Sequence, residues 1–208
     1  MKVLLVNGSS NKEGCTFTAL NEFARTLNIE NIETEIIQTG DLPVRDCCAC
    51  YACREIKKCV YDDDLVNIII EKAKECDGFV FGSPVYYAHP TGRILSILDR
   101  AFYAGGYAFK YKPACAVVSA RRSGTTATFD VLNKYFSINS MPIVSGSYWN
   151  NVHGHTSDDV KKDLEGIQTM QVLAKNMAWL LKCIECGKQN NINKPVLEDK
   201  IYTNFIRT

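Results

Sequence analysis

Short apolar runs alternate along the chain with longer stretches in which apolar positions recur every three or four residues. The runs at 2–7 (KVLLVN), 33–38 (ETEIIQ), 78–82 (GFVFG), 113–120 (PACAVVSA) and 142–145 predict five strands. Most are rich in Val, Ile and Phe without polar alternation, the mark of strands covered on both faces. The intervening periodic stretches predict helices at 16–27, 65–76, 91–103, 125–136 and 157–183. In the first, Phe17, Leu20, Phe23, Ala24 and Leu27 share a face. In the last, Val160, Leu164, Ile167, Gln171, Ala174, Met177 and Leu181 form one stripe. Regular β–α alternation predicts a parallel sheet with helices on both sides.

The fold class expected is therefore α/β. Five strands suit a flavodoxin-like three-layer sandwich with a five-stranded parallel sheet of order 2-1-3-4-5. In such sheets ligands sit outside the carboxyl ends of the strands, which directs attention to the loops after strands one, three and four. One domain spans 1–186, with a cysteine-rich insertion at 42–61, and 187–208 form a polar tail.

A net charge of +1 gives no electrostatic case for nucleic acid or a membrane surface. The apolar runs are too short to span a bilayer. The opening MKVLLVNGSS reads as a first strand rather than a secretory signal. Ten cysteines in such a chain point to a reducing, cytoplasmic setting and to thiols or metal ligands instead of disulfides.

The loop after strand one, Gly8-Ser9-Ser10-Asn11-Lys12-Glu13-Gly14-Cys15-Thr16, matches neither the dinucleotide fingerprint nor the triphosphate loop. It offers hydroxyls, an amide and the N–H groups of a helix start, which suit a terminal phosphate monoester. A plain turn with a Ser/Thr cap is the other description. The loop after strand three carries Pro84, Val85, Tyr86, Tyr87 and His89: a stiff exit with aromatics able to flank a planar ring, or a turn with a surface tyrosine pair. After strand four comes Ser119-Ala120-Arg121-Arg122-Ser123-Gly124-Thr125. It suits the polar edge of a flavin or nucleotide phosphates, and equally an exposed capped loop.

The densest chemistry is in DCCACYACREIKKCV, where Cys47, Cys50, Cys53 and Cys59 are spaced by two, two and five residues. One loop can wrap such thiolates around a cubane iron–sulfur cluster. Tetrahedral zinc or redox-active thiols are the alternatives. Cys48, next to Cys47, is expected to point away from the same centre. Cys76 and Cys115 read as core residues, Cys183 and Cys186 as an incidental pair at a helix end, and Asp62-Asp63-Asp64 as an acidic helix start.

The segments GSSNKEGCT, GSPVYYAHPTG and SARRSGTT, in that order and spacing, resemble the NADPH-dependent FMN reductase family of flavodoxin-like proteins. The cysteine segment ending CVYDDD resembles that family's iron–sulfur flavoprotein branch. The resemblance covers most of residues 1–184. It implies one FMN per subunit, with Ser9, Ser10, Asn11, Gly14, Cys15 and Thr16 around its phosphate. Pro84, Val85, Tyr86 and Tyr87 would flank the isoalloxazine, and Ser119, Arg121 and Gly124 its far edge. The family usually has an arginine near Ser10 and a small residue near Cys15; this chain departs at both. The segment SYWNNVHG resembles a family loop beside strand five, making Tyr148, Trp149, Asn150 and His153 further candidates.

The function expected is an FMN-dependent oxidoreductase fed by NAD(P)H or by a carrier protein such as a ferredoxin. Electrons would pass to a 4Fe–4S cluster or a small-molecule acceptor. The resemblance also implies a homodimer or homotetramer. A non-catalytic flavodoxin-like carrier, or a zinc or thiol module without flavin, are the rival readings.

Overall fold

The computed structural model describes residues 1–199 and 201–203. Five strands, β1 (Lys2–Asn7), β2 (Glu33–Gln38), β3 (Gly78–Pro84), β4 (Ala114–Ala120) and β5 (Asn151–His153), form one parallel sheet of order β2-β1-β3-β4-β5. The helices are α1 (Cys15–Ile29), α2 (Cys53–Ile56), α3 (Val66–Glu75), α4 (Gly92–Phe109), α5 (Thr125–Ile138), α6 (Ser157–Lys162) and α7 (Leu164–Gln189).

The central strands divide their side chains between two cores. Leu4, Val6, Phe79, Phe81, Ala116 and Val118 face α3, α4 and α5. Val3, Leu5, Val80, Cys115 and Val117 face α1 and α7. That two-sided burial explains the missing polar alternation. Cys76 and Cys115 are buried, as the apolar surroundings predict.

Three elements depart from expectation. The fifth strand of the sheet is Asn151–His153, not 142–145. Segment 142–144 pairs only with the start of β4, through Ala114 N to Pro142 O and Val144 N to Ala114 O, both 2.9 Å. Proline lacks an N–H and cannot extend the ladder, and the chain loops out before rejoining β4 at its other end. The long final helix is broken at Asp163, whose Oδ1 accepts from Gly166 N at 3.0 Å and Oδ2 from His153 N at 2.6 Å. One carboxylate thus caps α7 and ties it to β5, and Leu164 leaves the apolar stripe for solvent. Helix α4 continues past Tyr103 through Gly105, where a Cβ would meet Ile70 at 2.6 Å. That glycine marks a close approach to α3 with a local kink instead of a stop.

Of the tail 187–208, Gly187–Gln189 continue α7 and 190–199 are exposed; Lys200 and 204–208 lie outside the described residues. No helix among the described residues is long and apolar enough to cross a membrane.

Candidate functional site

The carboxyl ends of β1, β3, β4 and β5 surround a cleft of about 440 Å³. Of the residues expected there, Ser9, Asn11, Gly14, Cys15, Thr16, Pro84, Val85, Tyr86, Ser119 and Arg121 line it. Its floor is wired from below. Asn7, at the end of β1, accepts from Ser9 N at 3.2 Å and donates to Gln38 Oε1 at 2.5 Å. Gln38 Nε2 in turn donates to Ser9 O at 2.6 Å. Ser9 Oγ accepts from Asn11 N (3.1 Å) and Asn11 Oδ1 from Glu13 N (3.2 Å), two local turns that shape the loop. Helix α1 then begins at Gly14 with no side-chain cap, so no side chain competes for the N–H groups of its first turn. Gly8 is required by contact: its N–H donates to Gly82 O at 2.8 Å, and a Cβ would sit 2.7 Å from that oxygen.

Thr16 and Ser119 share a hydroxyl hydrogen bond of 2.8 Å and are buried, joining the first-strand loop to the end of β4. Cys15 Sγ donates to Gly154 O at 3.5 Å, and burial pushes its thiol pKa up. It sits in the cleft wall as a neutral thiol.

Ser10, Tyr87 and Gly124 are not on the cleft wall. The Ser10 hydroxyl is exposed and accepts from Arg93 Nη1 at 2.9 Å. Arg93, from the first turn of α4, also bonds Gly40 O. It brings a second cation, from another element, to a loop whose own is Lys12. Tyr86 and His89 close a two-residue hairpin, 2.8 and 3.0 Å, with Tyr87 (φ 51°) and Ala88 (φ 60°) both left-handed. Such a turn normally takes Asn-Gly, and here it throws Tyr87 fully into solvent. Gly124 (φ 91°) presses on this hairpin from behind: a Cβ would be 2.7 Å from both Ala88 Cα and Val85 Cγ1.

The cleft also has Glu13, Ala120, Gly154, His155, Thr156 and Ser157 in its wall. Sequence reasoning missed the last four because it ended the fifth strand at 145. A strand at Asn151–His153 puts 154–157 at a carboxyl end, where the topological rule would have found them. Tyr148 and Trp149 are exposed and stacked on each other (5.2 Å), so they are not core. Asn150 is buried, with no partner for its Nδ2 among the described residues, and His153 faces Asp163 at 3.9 Å. None of these four lines the cleft.

A second, narrow cavity of about 30 Å³ is lined by Cys47, Cys50, Cys53 and Cys59, with Cys48, Tyr61, Arg100 and Tyr103. Against expectation Cys48 lines it too, its thiol 3.4 Å from Tyr61 Oη; that contact lowers the thiol pKa and raises the phenol's. Ala49, Tyr51 and Lys57 are left-handed, so the arm doubles back between its cysteines. Burial raises the Cys53 thiol pKa, and the charges of Cys50, Cys47 and Cys59 add to the shift. Among the described residues no three Cys, His, Asp or Glu are drawn in closely enough to hold one metal ion. Cys47, Cys48 and Cys50 are exposed, and Cys53 and Cys59 are half-buried. The donor set itself, soft thiols facing a single cavity, fits a thiolate-held centre. Cys183 and Cys186 are exposed on α7. The three acidic residues are spent locally: Asp62 on Asn67, Asp63 on Arg45, and Asp64 on Val66 N and Arg100.

An iron-sulfur flavoprotein of Methanocaldococcus jannaschii is 33% identical over 193 residues, covering 89% of this chain and all of the relative. Among solved structures, RosB, determined with bound 8-demethyl-8-formylriboflavin-5′-phosphate, superposes with a TM-score of 0.68 at 13% identity, covering 100% of this chain and 98% of that one. A flavodoxin from the domain Archaea gives 0.59 at 15% identity, with 88% and 99% covered. These two likenesses establish the flavodoxin-like fold. The profile of the NADPH-dependent FMN reductases matches residues 1–156, and with the flavoprotein relative it establishes that the chain belongs to the NADPH-dependent FMN reductase family, in the branch of the iron-sulfur flavoproteins.

Proposed function

We propose that the protein is an oxidoreductase in which FMN in the 440 Å³ cleft and an iron–sulfur centre in the cysteine arm form one electron path. The observation that carries this reading is the division of the chain into two lined sites. The loops after β1, β3, β4 and β5 build one, and four cysteines from a single insertion build the other. Bound FMN supplies hydride acceptance and single-electron release, and a cluster supplies one-electron storage.

The protein's part is placement. The uncapped start of α1, with Ser9, Asn11 and Thr16, offers donors to a phosphate. Pro84, Val85 and Tyr86 give an apolar wall to a planar ring, and Ser119 and Arg121 give its polar edge donors. A strained arm of three left-handed non-glycine residues is the kind of backbone that persists where a function holds it. NAD(P)H is the donor we propose, with a reduced carrier such as a ferredoxin in its place where no nicotinamide is oxidised. The protein would work as a homodimer or homotetramer.

Protein purified without oxygen should show flavin bands over broad added absorbance, with about four irons per chain. Cys53→Ser should lose the iron and keep the flavin. Clean flavin bands with no iron in the parent would sink the two-centre reading. A separate expectation concerns Arg93. Arg93→Ala should weaken FMN about fivefold while leaving riboflavin nearly unchanged, because a partly screened cation near a phosphate contributes about 1 kcal/mol. Flavin fluorescence titrations measure both affinities, and an equal loss for the two ligands would remove Arg93 from phosphate recognition.

A further inference from the structure

We infer that Arg100 is a positioning residue that sets the reduction potential of the centre in the cysteine arm, acting through Cys59. The inference rests on the reading of Cys47, Cys50, Cys53 and Cys59 as ligands given above.

Arg100 lies on α4 and is 2% exposed. Its Nε donates to Cys59 Sγ at 3.2 Å. Nη1 bonds Asp64 Oδ2 and donates to Arg45 O at 3.1 Å, and Nη2 donates to Tyr61 O at 3.3 Å. The guanidinium carbon is 5.6 Å from the centre of the Tyr61 ring. The fork is thus held from several sides, and the edge carrying Nε faces sulfur. Asn67, buried on α3, grips the same cysteine by its backbone: Oδ1 accepts from Cys59 N and Nδ2 donates to Cys59 O, both 2.9 Å. Cys59 is therefore fixed at its main chain by an amide and at its sulfur by a buried cation.

A structural ion pair would need only Asp64. The bond to sulfur is additional, and it has an electronic consequence. An electron added to a thiolate-held cluster increases the negative charge on its sulfurs. An N–H donor and a desolvated positive charge beside one of them favour the reduced form. Arginine keeps its proton at all working pH values, so the one-electron step moves no proton at this residue. The arm's own arginines, Arg45 and Arg54, are exposed; Arg45, 57% exposed and paired with Asp63, has its field screened by solvent.

The test is an anaerobic redox titration of the protein loaded with FMN and cluster, following the cluster signal. Arg100→Gln should lower the equilibrium constant for cluster reduction about tenfold, a shift of ~59 mV to lower potential for a one-electron couple. Arg45→Gln should change it less than twofold. Where Arg100→Gln fails to fold, Arg100→Gln with Asp64→Asn removes the pair without stranding a buried carboxylate, and at least a threefold fall is expected. An iron-loaded variant of either kind within twofold of the parent overturns the role of Arg100 and leaves the two-centre reading intact. A parent that holds flavin but no iron overturns both.

Discussion

Gly124→Val should empty the cleft of flavin, with at least a hundredfold weaker FMN binding, although Gly124 does not line it. The position is left-handed at φ 91°, and a Cβ there would stand 2.7 Å from Ala88 Cα and from Val85 Cγ1. A β-branched residue meets both penalties at once. The left-handed backbone costs about 1–2 kcal/mol, and the overlap with backbone must be relieved by moving a chain. The chain that moves is the Tyr86–His89 hairpin, already strained at Tyr87 and Ala88 and with little reserve to absorb it. Val85 and Tyr86 would then leave the cleft wall. FMN titration and thermal melting separate the outcomes. Binding lost with Tm lowered by only a few degrees places the damage in the hairpin. Unchanged affinity would mean that Gly124 has no part in shaping the site.

The largest loss of stability is expected from Asp64→Asn. Asp64 and Arg100 are an ion pair with side chains 5% and 1% exposed. Neutralising the acid leaves a buried guanidinium without its counter-charge, which typically costs about 3–5 kcal/mol. Asp64 also accepts from Val66 N at the start of α3, so the amide variant weakens that helix start as well. The neighbouring Asp63→Asn removes an equal charge from an exposed pair and should leave the urea midpoint unchanged within error. Equal midpoints for the two variants would show that the Asp64–Arg100 pair carries no more than a surface bridge.

Much of this was legible in the sequence. Strands β1, β3 and β4 announced themselves because burial on both faces removes polar residues, a signal that needs no partner to be read; β2, a half-exposed edge strand, was read from its place in the β–α alternation. The first-strand loop that lines the cleft and the four cysteines that line the second cavity were legible because their residue patterns are local. Less legible were features decided by distant contacts. Asn151–His153 is too short and polar to read as a strand and becomes one only through its register with Val118–Ala120. With it went His155 and Thr156. Asp163 looked like one more polar position on a helix face until its carboxylate met β5. Arg93 and Arg100, both on α4, carry no local signal of a special role. Arg93 reaches across to the first loop and Arg100 into the cysteine arm, and no spacing within α4 predicts either.

The way the cysteine arm is fastened has a further consequence. It enters after β2, leaves before α3, and contains no strand and only the single turn α2. Its polar moorings to the body, buried Arg100 and Asn67 with exposed Tyr103 and Tyr107, belong to α4 and α3, helices whose apolar faces are already sealed into the core without it. The arm is therefore an appendage whose local opening exposes little of the sheet, so a protease or exchanging solvent can reach it without unfolding the body. A sample can keep its full complement of flavin while the arm has come undone. The yellow colour of such a preparation is then a measure of the body alone, and the integrity of the sulfur site has to be followed by its own signal.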